Sequence, residues 1–347
     1  VAVTQDTLRQ AKRLRQQLIT MTDAQTVELT RAWAEAWDVL LPEFEAALSE
    51  LLVKAVDGKV SHALAARNVR LQAALRAARE ALDVLAPRSA DIITQELSWA
   101  VLDAAEGHQA LVKSQLPPAH TGVTVTFNRV PHDALTAIVE RTTQQIHSNF
   151  KPLAADVERK MKRALVRGIA VGDNPRTTAS KLMRETEGAF NGGLTRALNI
   201  SRTETLDAHR AGAKAAERAN LDILTEWEWH ANLDRRTCPS CLAKHGQRFP
   251  LEDDGPQDHQ QGRCARVPIT KTWKELGFDI PEPASVTPDS RQWFDNLTPE
   301  TQREIMGPAR LKLLNDGDIA WADLSSKHST AGWRDSYVVT PLKDLVQ

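Results

Sequence analysis

The stretch ILTEWEWHA, residues 223–231, decides how the chain divides. Leu224, Glu226, Glu228 and His230 alternate with Ile223, Thr225, Trp227 and Trp229, the period-two pattern of a β-strand. Both tryptophans fall on one face, which the pattern predicts to be buried, with the alanine-rich helix just before the strand as its cover. TCPSCLAKHGQRFPLEDDGPQDHQQGRC follows at residues 237–264. Within it, Gln247 to Leu251 reads as a second short strand, and Arg263 to Ile269 as a third. They bracket the polar loop from Glu252 to Gly262, and folding that loop back carries His259 and Cys264 towards Cys238 and Cys241.

Upstream, the signals are helical. Leu8, Leu14 and Leu18 mark a helix from Thr4 to Met21. Thr22-Asp23 can cap a second, with Leu29, Trp33 and Trp37 on one face. Pro42 is a point of kinking or breakage, and Asp57-Gly58 a turn. A third helix, Ser61 to Leu85, carries a short coiled-coil-like seam at Leu71, Leu75, Ala78, Leu82 and Leu85, with Pro87 predicted to end it. A fourth runs from Ser89 to Leu116. Val123 to Phe127 reads as a strand or extended connector, and Pro131 opens a helix to Phe150.

The helix from Pro152 to Ala170 is sharply amphipathic. Leu153, Val157, Met161 and Leu165 form its apolar stripe, and Arg159, Lys160, Lys162, Arg163 and Arg167 make it the most basic segment. It can present a plain solvated face, or meet phosphates, a membrane surface or an acidic protein. Gly172 to Pro175 predicts a turn, and Gly188 and Gly192-Gly193 predict interruptions. A long helix then runs from Leu194 to Asn220. Beyond the cysteine stretch, Pro281-Glu282-Pro283 resembles a linker. Thr298-Pro299-Glu300 opens a helix that stops near Gly307-Pro308, and a second short helix leads to Gly317.

Composition narrows the function classes. The formal net charge is -1, with 41% hydrophobic and 26% charged residues, so a generally basic nucleic-acid binder is not indicated. No apolar run suits a transmembrane helix, and the first residues lack the pattern of a signal peptide. All three cysteines lie at Cys238, Cys241 and Cys264. An odd, clustered set points to a reducing compartment and to metal binding, free thiols or redox chemistry.

Cys-x-x-Cys from a tight turn, with a further His and Cys on a returning arm, is zinc-ligand spacing. The expected set is Cys238, Cys241, His259 and Cys264, with His245 as the alternative imidazole. Three thiolates and one imidazole close the coordination sphere, so such a site is structural and stands in for a core that a small β element cannot build. No βαβ unit surrounds the pair as a thioredoxin-like motif requires, and no His-x-Glu precedes it as in a zinc deaminase. Metalloprotease, Walker A and Gly-x-Ser-x-Gly motifs are missing. Glu226, Glu228 and His230 could form a second metal or acid–base site, or simply a solvated strand face. The sequence offers no catalytic set, and the chain is not expected to be an enzyme.

The order of blocks then resembles a known family. Ile200-Ser201-Arg202-Thr203-Glu204 precedes the alanine-rich helix. Glu226-Trp227-Glu228-Trp229 follows, then Leu233-Asp234-x-Arg236-Thr237-Cys238-Pro239-x-Cys241, Gly246-Gln247-x-Phe249-Pro250, and His259 to Pro268. This is similar to the phage head morphogenesis proteins of the Mu F type, over about residues 150–270. The segment from Trp293 to Ile319 is similar to the tail that often follows. Two positions depart from the pattern: Gln260 stands where the family has Pro, and Gly262 where it often has Cys.

The resemblance implies a minor capsid protein of the virion, associated with the portal vertex during procapsid assembly and lying inside the head. It would work in the host cytoplasm during assembly. The implied partners are the portal protein, the major capsid or scaffold protein, and packaged genomic DNA, with no membrane and no small-molecule substrate. The alternatives are a zinc-containing nucleic-acid binder or nuclease, and a phage-borne effector. The expected fold is mainly α with a small β module (α+β): an elongated helical N-terminal body, and a long helix packed on a short antiparallel sheet with a Cys/His zinc-like loop. The expected divisions are a helical region 1–118, a helical part 119–222 that includes the basic helix, the β module 223–275, and a linker and short helical tail 276–347.

Overall fold

The computed structural model describes residues 3–54, 62–117, 127–169, 175–259, 262–329 and 335–345, with the side chains of His62, 166–169 and 175–179 outside that description. The elements are α1 (Gln5–Val53), α2 (His62–Arg67), α3 (Val69–Thr94), α4 (Leu97–Lys113), α5 (His132–Phe150), α6 (Leu153–Ile169), α7 (Pro175–Arg218), β1 (Leu224–His230), α8 (Pro239–Lys244), β2 (Arg248–Pro250), β3 (Ala265–Thr270), α9 (Ser290–Asp295), α10 (Pro299–Met306), α11 (Pro308–Asp316), a 3-10 turn (Trp321–Leu324), β4 (Ser325–His328), β5 (Ser336–Val339) and α12 (Leu342–Leu345). The architecture is mainly α with a small β part, as expected. The turns expected at Asp57-Gly58 and Gly172–Pro175, and most of the strand expected at Val123–Phe127, lie outside the described residues.

Two compact units share these elements. One comprises Val1–Ile19, Ser98–Val139 and Leu206–Gln347; the other comprises Thr20–Leu97 and Glu140–Thr205. The second unit is helical, and its core is aromatic. Trp33 meets Phe190 edge-on at 5.1 Å between ring centroids, Trp37 lies 5.2 Å from Phe190, and Trp37 stacks on Phe44. The buried Trp33 indole N–H donates to Ser89. Gln25 ties three helices. Its amide donates to the Ile93 carbonyl, and its oxygen accepts from Ser201 at 2.8 Å and Thr205 at 3.5 Å. Residues at and beside the Ile200–Glu204 block therefore serve packing.

Three helix boundaries predicted within α1 and α3 are absent. α1 runs unbroken through Thr22-Asp23 and Pro42, and α3 runs through Pro87. Proline removes one backbone donor, and the carbonyl four residues earlier loses its partner. Pro42 and Pro87 are exposed, as are Asp38 and Asp83 four residues before them, so water can serve those carbonyls. Thr22 is buried along the core face of α1 and does not cap a helix. α7 likewise runs through Gly192-Gly193. A Cβ at Gly193 would lie 2.4 Å from the Trp33 ring, so this glycine permits close packing and does not end the helix.

In the other unit the sheet order is β2-β1-β3, antiparallel throughout. Trp227 and Trp229 are buried as predicted, in a cluster with Ala231, Cys241 and Cys264. Trp227 stacks on Phe249 at 4.6 Å and Trp229 meets Tyr337 edge-on at 5.8 Å. The cover thus includes β5, an element the sequence reading did not anticipate. The opposite face is also buried. Val267 packs with Ala11, Leu14 and Leu111, from α1 and α4. Glu228 and His230 are each only 3% exposed, which rules out the solvated strand face for those two residues. The alternation of polar and apolar residues gave no hint of this, because the polar side chains on that face satisfy one another.

β3 is an edge strand, and the end of α4 covers it. Gln115 donates to the Pro268 carbonyl at 2.7 Å and accepts from Thr270 N, while its own carbonyl accepts from the Trp273 indole. Gly107 lets α1 approach α4, since a Cβ there would strike Leu14 at 2.2 Å. Arg266 of β3 forms a buried pair with Glu217 of α7 at 2.6 Å, with both side chains no more than 1% exposed. Glu217→Ala leaves that guanidinium buried and unpaired, and should cost about 3–5 kcal/mol in urea denaturation followed by tryptophan fluorescence. Glu217→Leu combined with Arg266→Met should recover most of the loss.

Candidate metal centre

The entry to the site is a turn built on Asp234. Its carboxylate accepts from Arg236 N at 2.9 Å, from the Asn232 amide at 2.6 Å and from the Thr237 hydroxyl at 3.3 Å. Arg263, on the returning arm, adds a bidentate pair at 2.6 and 2.7 Å. Burial opposes ionisation of Asp234, yet Arg263 and the Arg236 N–H bring its carboxyl down to about 2. The turn delivers Cys238 as the N-cap of α8. Pro239 occupies the first helical position, and the Cys238 sulfur accepts from Cys241 N at 3.4 Å.

The ligand atoms of Cys238, Cys241 and His259 lie within 4.8 Å of one another. Hydrogen bonds from Cys241 and His259 pull the Cys238 thiol down to about 5, against the effect of burial. Cys241 sits between the sulfurs of Cys238 and Cys264, and that crowding by two thiols pushes its own thiol up. Cys264 therefore adjoins the cluster through Cys241 but lies outside the compact triad. Cys241 and Cys264 are buried, and Cys238 is partly exposed.

This donor set suits zinc. Zn–S bonds of about 2.3 Å and Zn–N bonds of about 2.0 Å require ligand atoms under about 4 Å apart, so a small contraction of the triad would complete the approach. His245 stands apart. Its Nδ1 accepts from Ala231 N at 3.0 Å, and its Nε2–H donates to the Pro288 carbonyl at 3.1 Å. Both of its nitrogens are committed, and the imidazole that lies beside the thiols is His259.

The returning arm is fixed by residues that spacing arguments did not select. Asp258 Oδ2 accepts from Arg210 of α7 at 2.9 Å and from Cys264 N at 3.2 Å, while Arg210 also donates to the Cys264 carbonyl at 3.1 Å. Charged residues directly before His259 and Cys264 were the only available hint. Gly262 belongs to the same arrangement. A Cβ there would fall 1.9 Å from Asp258 Oδ2, so the carboxylate occupies the space a side chain would need.

The remaining candidates lie elsewhere. Glu228 and His230 form a buried pair at 2.8 Å, with Thr287 and Arg248 also donating to the Glu228 carboxylate. Glu226, on the same strand, is partly buried and lies 3.9 Å from the Arg248 guanidinium. The basic residues of α6 belong to the other unit. Arg159 pairs with Asp156 and Lys162 with Glu158, Lys160 and Arg163 are exposed, and the Arg167 side chain lies outside the described residues.

Gly262→Ala and Gly262→Cys should each destabilise the protein by about 1–3 kcal/mol in chemical denaturation, since even one carbon overpacks the Asp258 carboxylate. A cysteine there should not behave as an added ligand that strengthens metal retention.

Residues 159–267 match the family model described as Phage Mu protein F like protein. No curated protein and no solved structure matches the chain significantly. The matched region runs from α6 through α7 and the Cys/His cluster into β3. Over that region, the chain is similar to the Mu F-like phage proteins.

Proposed function

We propose that this protein is a minor capsid component acting in phage head assembly, bound at the portal vertex on the inside of the head. One observation supports this above the rest: the family match spans the region in which Cys238, Cys241 and His259 converge. The role is structural, not enzymatic. The portal protein is the principal partner, and the major capsid or scaffold protein is a further one. The protein resides in the virion, reaching it from the host cytoplasm during assembly. Among the described residues no helix is long and apolar enough to cross a membrane.

The Cys/His cluster would hold one zinc ion, with Cys238, Cys241, His259 and Cys264 as ligands. Bound there, zinc supplies a closed tetrahedral tie between the entry turn and the returning arm, with no position open for a substrate. Asp234 and Arg263 hold the two arms together, and His245 stays outside the sphere.

A second reading concerns packaged DNA. The α6 residues Lys160 and Arg163 are exposed beside Arg159 and Lys162. That face suits phosphate contacts, which are independent of sequence and weaken as salt rises.

Two experiments test these readings. Purified protein should contain one zinc per chain by elemental analysis, with the metal lost in Cys238→Ser and Cys264→Ser; a metal-free wild type removes the zinc claim. Co-expressed portal protein should co-purify with this chain, and the chain should be found in assembled particles. Recovery only as a free protein would count against head assembly. For the DNA reading, Lys160→Glu with Arg163→Glu should weaken DNA binding and flatten its dependence on salt.

A further inference from the structure

Metal sites in small β modules commonly form together with the fold, because the unfolded chain has no preformed site. Here one charge pair joins the two arms and a second ties the returning arm to α7. Arg263, adjoining Cys264, grips Asp234 through both guanidinium nitrogens at 2.6 and 2.7 Å. Asp258, adjoining His259, is held by Arg210 at 2.9 Å, and those two side chains are 1% and 9% exposed. Arg210 and Asp258 also take the carbonyl and the N–H of Cys264, which fixes the backbone that carries this sulfur. Arg210 lies on α7. The module also has its own apolar core of Trp227, Trp229, Ala231, Cys241 and Cys264, with Phe249 and Tyr337 packed against it.

We infer that Asp234–Arg263 and Asp258–Arg210 are positioning pairs that hold the Cys238, Cys241 and His259 triad and the adjoining Cys264 close to their ligand positions before metal arrives, so that metal binding and folding are separable. This rests on the zinc reading above for the identity of the ligand, and on the geometry alone for the preorganisation. Each pair acts through the ligand beside it and does not touch the ion.

The test uses the full chain with zinc ion as the probe. Wild type, Asp234→Ala, Asp234→Asn and Asp258→Asn are stripped with a chelator, then compared by circular dichroism, by zinc competition with a chromogenic chelator and by the rate of thiol alkylation. Stripped wild type should keep its circular dichroism and tryptophan emission, with Cys241 and Cys264 slow to alkylate. Asp234→Ala should fold alike but bind zinc about 10–100-fold more weakly, the usual effect of losing an outer-shell partner. Asp234→Asn, which keeps most hydrogen bonds of the turn, should fall between the two. Asp258→Asn should also weaken zinc and speed alkylation of Cys264.

Loss of the module's tryptophan signal on stripping wild type would overturn the inference, as would zinc affinity in Asp234→Ala within about twofold of wild type. Should wild type bind no zinc, the zinc reading falls by itself. The alkylation rates then decide preorganisation: equal rates in wild type and all variants overturn it, and faster rates in the variants uphold it.

Discussion

Arg266 is the interaction on which the β module depends. It leaves β3, pairs with Glu217 of α7, donates to the carbonyls of Leu251 and Asp253, and lies 4.4 Å from the Trp227 ring centroid. One side chain thus docks the long helix on the sheet, fixes the course of the chain after β2 and covers a tryptophan. A buried ion pair gains little net stability over a well-packed apolar pair, because desolvation offsets much of the Coulomb attraction. Its value lies in direction. The guanidinium has several donors in a rigid fork, and only one arrangement of helix, strand and loop satisfies them.

The same constraint explains which parts of the fold were legible. Both tryptophans of β1 announced a buried face, and the caps at Thr298 and Gly317 bounded short exposed helices where local chemistry decides. Long-range packing decided the rest. α1 and α3 absorb Pro42 and Pro87 because both prolines point to solvent, and α7 absorbs Gly193 because Trp33 needs its space. A local rule cannot see which side of a helix will be wet. Nor can alternation on β1 reveal a second covered face when Glu228 and His230 satisfy each other.

The site shows a similar division. Cys238 and Cys241 were legible from their spacing, because a two-residue separation is a property of the turn itself. Placement on the returning arm favoured His259 over His245, but what else each ring meets was not legible. His245 is taken by two backbone partners, whereas His259 reaches Cys238. Asp234, Arg210 and Asp258 carry no spacing signature of a site at all. Arg210 and Asp258 lie far apart along the chain and meet only after α7 has docked on the sheet. Gly262 is instructive here. A family pattern with Cys at that position suggests a lost ligand, but the carboxylate of Asp258 fills the space instead.

Residues beyond Pro281 read as a linker and a tail, yet they complete the module. Leu242 and Ala243 of α8 share a core with Phe294, Met306, Leu314, Ile319 and Leu324. Tyr337 N donates to the Gln257 carbonyl at 2.6 Å, Lys244 lies 4.0 Å over the Tyr337 ring, and Thr287 reaches Glu228. β5 therefore runs beside the backbone that carries Asp258 into the site. The helix bearing Cys241 is packed on its outer side by the same segment. A β element of three short strands has little apolar surface to bury, so the need for a stabilising partner is real. In this chain the tail meets that need by apolar packing, while the charge pairs hold the entry turn to the returning arm and fix the backbone of Cys264, so the module's order rests on contacts among its own residues.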